Sequence, residues 1–245
     1  MRNAINRALQ ALVLLAVAVS FAQADNFMYF KKKAAGGGCI DDSGDTYNQG
    51  FEAAGTPAGW TQKNGTSDFD QARPGTASPA QLCSQSLNVA SSAAAEDVYY
   101  DYGGNLTEGY VRFYLYFASG TTSSAPEFFA VNQSTAAQSN SELLHCQIYD
   151  NDGSHKQIRC CDSAQAACSG WTVITTAAWH LMEVHFINNS ASCKFKIDGG
   201  AESTFSCTNV ADGGRYIWHG WAGAYTLNIS YDLFAISTTG YVGAP

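Results

Sequence analysis

The sequence predicts an all-β fold, an antiparallel sandwich behind a leader and a short linker. Three observations predict it. The 245 residues are only 14% charged, 13% are aromatic, and 23 are glycine, which suits many short strands joined by polar turns. Apolar residues recur with period two. In residues 109–118, Val111, Phe113, Leu115 and Phe117 alternate with Tyr110, Arg112, Tyr114 and Tyr116. Such strands follow one another with no helical pattern between them, which favours a sandwich over βαβ units.

Residues 1–24 read as a signal peptide. Arg2 and Arg7 open it, residues 11–21 are an apolar run, and Ala22-Gln23-Ala24 is a cleavage site. The apolar run is short for a bilayer span, so no membrane association is expected after cleavage. Residues 25–46 read as a disordered linker, with Lys31-Lys32-Lys33 and Gly36-Gly37-Gly38 and no apolar period. Residues 47–245 form the sandwich domain. Within it, Trp179–Ile187 alternates Met182, Val184 and Phe186 against Leu181, Glu183 and His185. Cys193–Ile197 is a strand ending at Asp198-Gly199, and residues 217–221 and 227–236 complete the domain. The formal charge is −8, and losing Arg2 and Arg7 with the leader takes it to about −10, a poor match to nucleic acid.

All eight cysteines come after the leader, and an even count in an exported chain reads as a disulfide set. Cys146 and Cys160 are equidistant from Gly153, and Cys193 and Cys207 from Gly200. Residues equidistant from a hairpin turn face each other at bridging distance. Cys161 and Cys168 close a short loop, which leaves Cys39 with Cys83. A cysteine-bound zinc lacks its usual ligand spacing here. A secreted or periplasmic protein is therefore expected.

An ordered set of motifs runs through residues 49–241: Gly50-Phe51-Glu52, Gly59-Trp60, Ser86-Leu87-Asn88-Val89, residues 110–117, Trp179 with Glu183-Val184, Lys196-Ile197-Asp198-Gly199, and Tyr231-Asp232 before Gly240. In this order they resemble the concanavalin A-like superfamily, specifically its laminin-G-like jelly-roll members. The resemblance implies a jelly-roll sandwich and a structural Ca2+ held where the first and last strands meet, at Glu52 and Asp232. Superfamily hydrolases carry two or three carboxylates on one strand face. Here Glu96-Asp97 and Glu142 have no correctly spaced partner.

Alternation puts His145, Gln147 and Tyr149 on one strand face, with Leu144 and Ile148 on the other. Tyr110, Arg112, Tyr114, Tyr116 and His185 are candidates to share the face of His145. Tyrosines would stack on sugar rings while Arg112, His145 and Gln147 hydrogen-bond them. The equally open alternative is that these aromatics are a secondary core under a loop. The functional reading is an exported, non-catalytic carbohydrate-binding or adhesive module with a glycan or polysaccharide as partner. One alternative is a polysaccharide lyase, for which similar jelly-roll lyases imply Arg112, His145, Gln147 and Tyr114 as the acting groups. Another is a structural or attachment protein of a virion or cell surface. His155, His180 and His219 read as structural.

Overall fold

The computed structural model describes residues 47–49, 51, 55–72, 74, 85–92, 94–118, 125–135, 141–150, 155–221, 223 and 226–243. The leader, the linker, Glu52 and the expected Cys39–Cys83 pair lie outside them. In chain order the strands begin with β1 (Tyr47–Gln49), β2 (Trp60–Asn64), β3 (Asp68–Ala72), β4 (Gln85–Ser92) and β5 (Glu96–Leu106). Next come β6 (Glu108–Phe117), β7 (Glu127–Asn132), β8 (Glu142–Asp150), β9 (His155–Cys161) and β10 (Thr172–Thr175). The last five are β11 (Trp179–Ile187), β12 (Cys193–Ile197), β13 (Ser203–Phe205), β14 (Gly214–Trp221) and β15 (Thr226–Ser237). No helix occurs among the described residues, so none there is long and apolar enough to cross a membrane.

The strands form two antiparallel sheets. The first has eight strands, in the order β13-β12-β11-β6-β15-β4-β3, with β1 also on β15. The second has seven, in the order β10-β9-β8-β7-β14-β5-β2. The sheets pack face to face, and the period-two pattern sets which side chains meet. Val111, Phe113, Leu115 and Phe117 of β6 are buried in the common core with Met182, Val184 and Phe186 of β11. Phe113 meets Phe129 of the other sheet with ring centroids 4.9 Å apart, and Phe117 meets Phe128 at 5.6 Å. His219 sits in the same layer, fully buried, with Phe113, Phe129, Tyr231 and Phe234 at 4.6–5.6 Å. Burial alone drives its imidazole down to about 3, so it is a neutral ring in an aromatic cage.

The β11–β12 strands and the turn after them fall where the sequence predicts. Asp198 and Gly199 both have positive φ (52° and 68°), and Gly200 N–H donates to Ile197 O at 2.9 Å. That is a type I′ turn, for which Asp-Gly is the favoured pair. Asp198 is also held by the Leu181 amide at 2.8 Å and by His180 at 2.7 Å.

Three of the expected disulfides are present: Cys146–Cys160, Cys161–Cys168 and Cys193–Cys207. Cys146 and Cys160 are directly opposed between β8 and β9, as hairpin symmetry requires. For the third pair the symmetry argument is off by one position. The register places Cys193 opposite Phe205, so the hairpin is centred on Gly199, and Cys207 bonds back from just beyond β13.

Candidate functional site

The outer face of the second sheet is built by two irregularities. Between β7 and β8 the register slips at Phe128 and again at Leu143, each an extra residue in one strand. A bulge puts neighbouring residues on the same side and re-phases the remainder of the strand. Phe128 and Phe129 both enter the core, as do Leu143 and Leu144. Glu127 and Glu142 are thereby turned to the outer side, onto the face of His145. Glu142 was expected to lack a correctly spaced partner. On its own strand it has none, but the bulge brings it to His145 three residues away, and the neighbouring strand brings Glu127 to the same imidazole.

His145 Nδ1 lies 2.9 Å from Glu142 Oε2, and Nε2 lies 3.8 Å from Glu127 Oε1. All three residues are buried. Burial and the Glu142 charge push the Glu127 carboxyl up to about 7, against the pull of His145. Burial alone would lower His145, but Glu142, Glu127 and Asp162 outweigh it and raise the imidazole. Beside the cluster, Gln133, Ser141, Glu142, Ser163 and Thr208 line an open cavity of about 340 Å3.

Toward its β10 edge the same face opens to solvent. Gln147 lies opposite Arg159 on β9, and Tyr149 opposite Gln157, which in turn faces Val173 on β10. Arg159 Nε donates to Gln147 Oε1 at 3.0 Å. The Arg159 guanidinium lies 4.5 Å from the centre of the Trp171 ring, and Trp171 and Tyr149 have centroids 6.0 Å apart. Tyr149 (38%), Trp171 (38%) and Val173 (55%) are the large apolar side chains left exposed among the described residues, and all three lie in this patch. The sequence pattern marks Gln147 and Tyr149 but not Trp171 or Arg159. Trp171 stands outside any strand, just before β10 and after a loop closed by Cys161–Cys168, and the placement of Arg159 follows from the β8–β9 register.

The other expected site residues lie across the sandwich, on the outer face of the first sheet. Tyr110, Arg112, Tyr114 and Tyr116 of β6 pair with His185, Glu183, Leu181 and Trp179 of β11. His185 stacks on Tyr110 at 4.1 Å and bonds Glu108 at 2.8 Å. Arg112 is buried and donates to Leu233 O and Gly243 O at 3.3 and 3.0 Å. Glu183 accepts from the Gly243 amide at 2.9 Å and pairs with Lys196 at 2.9 Å. Tyr114, Trp179, Leu181 and Leu233 form a small second core with Tyr116 against it. The shared face expected for Arg112 and Tyr114 with His145 and Gln147 is therefore corrected. β6 and β8 belong to different sheets, and alternation within a strand does not say which sheet it joins.

Asp232 is buried on β15, with Oδ1 accepting the Leu233 amide at 2.7 Å. Glu96 and Asp97 hold the turn after β2: Glu96 accepts from Thr66 N and Ser67 Oγ, and Asp97 from Asn64.

The sequence matches no protein-family model and no curated protein. The fold has clear counterparts among solved structures. The cellulose-induced protein Cip1 is 13% identical with a TM-score of 0.53, over 81% of this chain and 99% of that one. The carbohydrate recognition domain of Emp47p is 11% identical with a TM-score of 0.50, over 80% and 98%. The GH43 protein BlXynB from Bacillus licheniformis is 11% identical with a TM-score of 0.53, over 80% of this chain but 40% of that one. Two antiparallel sheets in this arrangement, matched almost end to end by the first two structures, make the fold a concanavalin A-like jelly roll.

Proposed function

We propose that the chain is an exported, non-catalytic carbohydrate-binding module whose glycan lies across the open edge of the second sheet, over Trp171 and Tyr149. One observation carries this reading: the exposed large apolar groups of the described residues gather in one patch, two of them aromatic, beside the half-buried polar side chains of Arg159 and Gln157, with Gln147 buried beneath Arg159. Sugar rings offer flat C–H faces to aromatic rings and hydroxyls to such donors and acceptors. The Emp47p domain of similar fold is by name a carbohydrate recognition domain. Three disulfides suit an oxidising compartment, with the leader removed so that the mature chain starts at Asp25. N-terminal sequencing of secreted protein checks that start.

The deciding experiment is affinity electrophoresis of the mature protein in gels holding neutral and acidic polysaccharides. Retardation by at least one glycan, weakened about tenfold or more in Trp171→Ala, is expected. No retardation by any glycan would leave a purely structural module. Uronate polymers should yield no ultraviolet-absorbing unsaturated product.

The calcium implied by the fold resemblance is part of the same proposal. Asp232 offers a buried carboxylate of the kind Ca2+ favours, and Glu52 would be its partner. An ion that binds only the folded state raises Tm by mass action. Ca2+ should raise Tm in the wild type and not in Asp232→Asn.

A further inference from the structure

Glu127, Glu142 and His145 lie beside the glycan platform but are too buried to touch a ligand on it. Each offers one ligand atom, and these atoms lie within 4.8 Å of one another. Each also has an atom with no hydrogen-bond partner: Glu127 Oε2, Glu142 Oε1 and His145 Nε2. All three residues are more than nine-tenths buried. A buried polar atom left unpaired costs roughly 1–3 kcal/mol, and more when charged. Two of them are carboxylate oxygens brought to one imidazole, and they call for a positively charged partner. Among the described residues no lysine or arginine forms an ion pair with either glutamate.

We propose that Glu127, Glu142 and His145 bind a divalent transition-metal ion of the Zn2+ class. The donor set fits: two carboxylates neutralise the dication, and an imidazole selects a borderline ion over an all-oxygen one. Ca2+, which takes six to eight oxygens, is a poor match. The imidazole is already oriented. His145 Nδ1 and Glu142 Oε2, 2.9 Å apart, are spaced like two ligands of one ion, which would replace the proton between them with Glu127 as the third ligand. Ala130, directly opposite His145 on β7, adds only a methyl group to this space. Glu142 also lines the open cavity, so an ion and a completing water have a way in. The Leu143 bulge, which interrupts the ladder to turn Glu142 outward, is the kind of irregularity found beside sites.

The competing state is a metal-free cluster in which Glu127 holds a proton. Titration of the chelator-stripped mature protein with ZnCl2, MnCl2 and CaCl2, followed by calorimetry and thermal melting, separates the two. One Zn2+ per chain is expected, bound more tightly than Mn2+ or Ca2+, with a rise in Tm. Glu127→Gln and His145→Gln should each weaken Zn2+ binding by about a hundredfold or more. Glu127→Gln keeps the shape of a protonated acid, so its metal-free form should melt no lower than the wild type. In the wild type, the imidazole nitrogen resonances of His145 should shift on adding Zn2+, which needs no variant. Absence of Zn2+ binding, or affinity unchanged in both variants, would overturn the proposal. Neither result depends on whether a glycan binds Trp171.

Discussion

Both outer faces of the sandwich carry aromatic side chains alternating with polar ones, yet one is closed and the other is open at its edge. On the first sheet, Tyr114, Trp179, Leu181 and Leu233 pack on one another, and residues near the C-terminus lie against the polar part of the same face. Gly243 is held by Arg112 and Glu183, and Tyr241 packs on Tyr110 at 5.2 Å under Lys196. Arg112 and Glu183 are thus answered from within the chain. On the second sheet, Trp218 and His145 are buried, but the β8–β10 edge leaves Tyr149, Trp171 and Val173 in water. Aromatic content therefore does not distinguish a second core from a binding face. What distinguishes them is whether the chain satisfies the face's polar and apolar groups itself.

The largest expected effect comes from the interior that both faces share. His219 titrates near 3 when folded and near 6.5 when unfolded. Its contribution is complete above pH 6.5 and is lost as pH falls through 3, because the unfolded chain takes up the proton first. The loss is on the order of 5 kcal/mol across that window. Acid unfolding followed by circular dichroism should show it, and a His219→Leu chain should lack that share of the slope.

Next come the closed face and the support under the open one. Arg112→Ala removes a buried guanidinium and leaves the Leu233 and Gly243 carbonyls without their donor. It should cost about 3 kcal/mol in urea unfolding while any glycan retention of the folded fraction stays unchanged. Retention lost in Arg112→Ala at full stability would instead move the binding face to the first sheet. Replacing Cys146 and Cys160 by alanine opens a loop with a sequence separation of 14, worth about 3 kcal/mol in the chain-entropy account. Because this bridge joins β8 to β9 directly behind Gln147 and Arg159, the double variant should lose glycan affinity as well.

Much of this was legible in the sequence, and the limits have physical causes. Alternation identified the inward residues of β6 and β11, because burial of one face forces period two. Asp198-Gly199 marked its turn because few other pairs tolerate two positive φ angles. Equidistant cysteines marked the Cys146–Cys160 bridge. Sheet membership was not legible. Arg112 and His145 carry no local sign that their strands join different sheets, since that depends on strand order over the whole chain. The Glu127–Glu142–His145 cluster was hidden by the same non-locality and by the bulges, which break the period that would have revealed it.

The smallest effect on stability is the one that tests the open face most directly. Trp171 and Tyr149 are each more than a third exposed, and they contact each other at the edge of the sheet. Truncating either removes a half-exposed edge contact rather than a fully buried side chain, so the change should be about 1–2 kcal/mol. The buried Tyr114 of the closed face has the opposite profile: Tyr114→Ala empties a packed site and should cost about 3 kcal/mol. Arg159 makes Trp171 the more informative target of the exposed pair. The guanidinium lies over one face of its ring, a cation–π contact worth roughly 0.5–1 kcal/mol at an exposed site. Trp171→Phe keeps a ring in that position and should retain most of the binding. Trp171→Ala should lose about tenfold or more, with Tm lowered much less than in Tyr114→Ala. Measuring Tm and retardation on the same samples of the three variants gives the comparison its sharpest form. If Trp171→Ala lowers Tm as far as Tyr114→Ala does, the β8–β10 edge is a second core like the other face. If it lowers retardation alone, the edge is the binding surface.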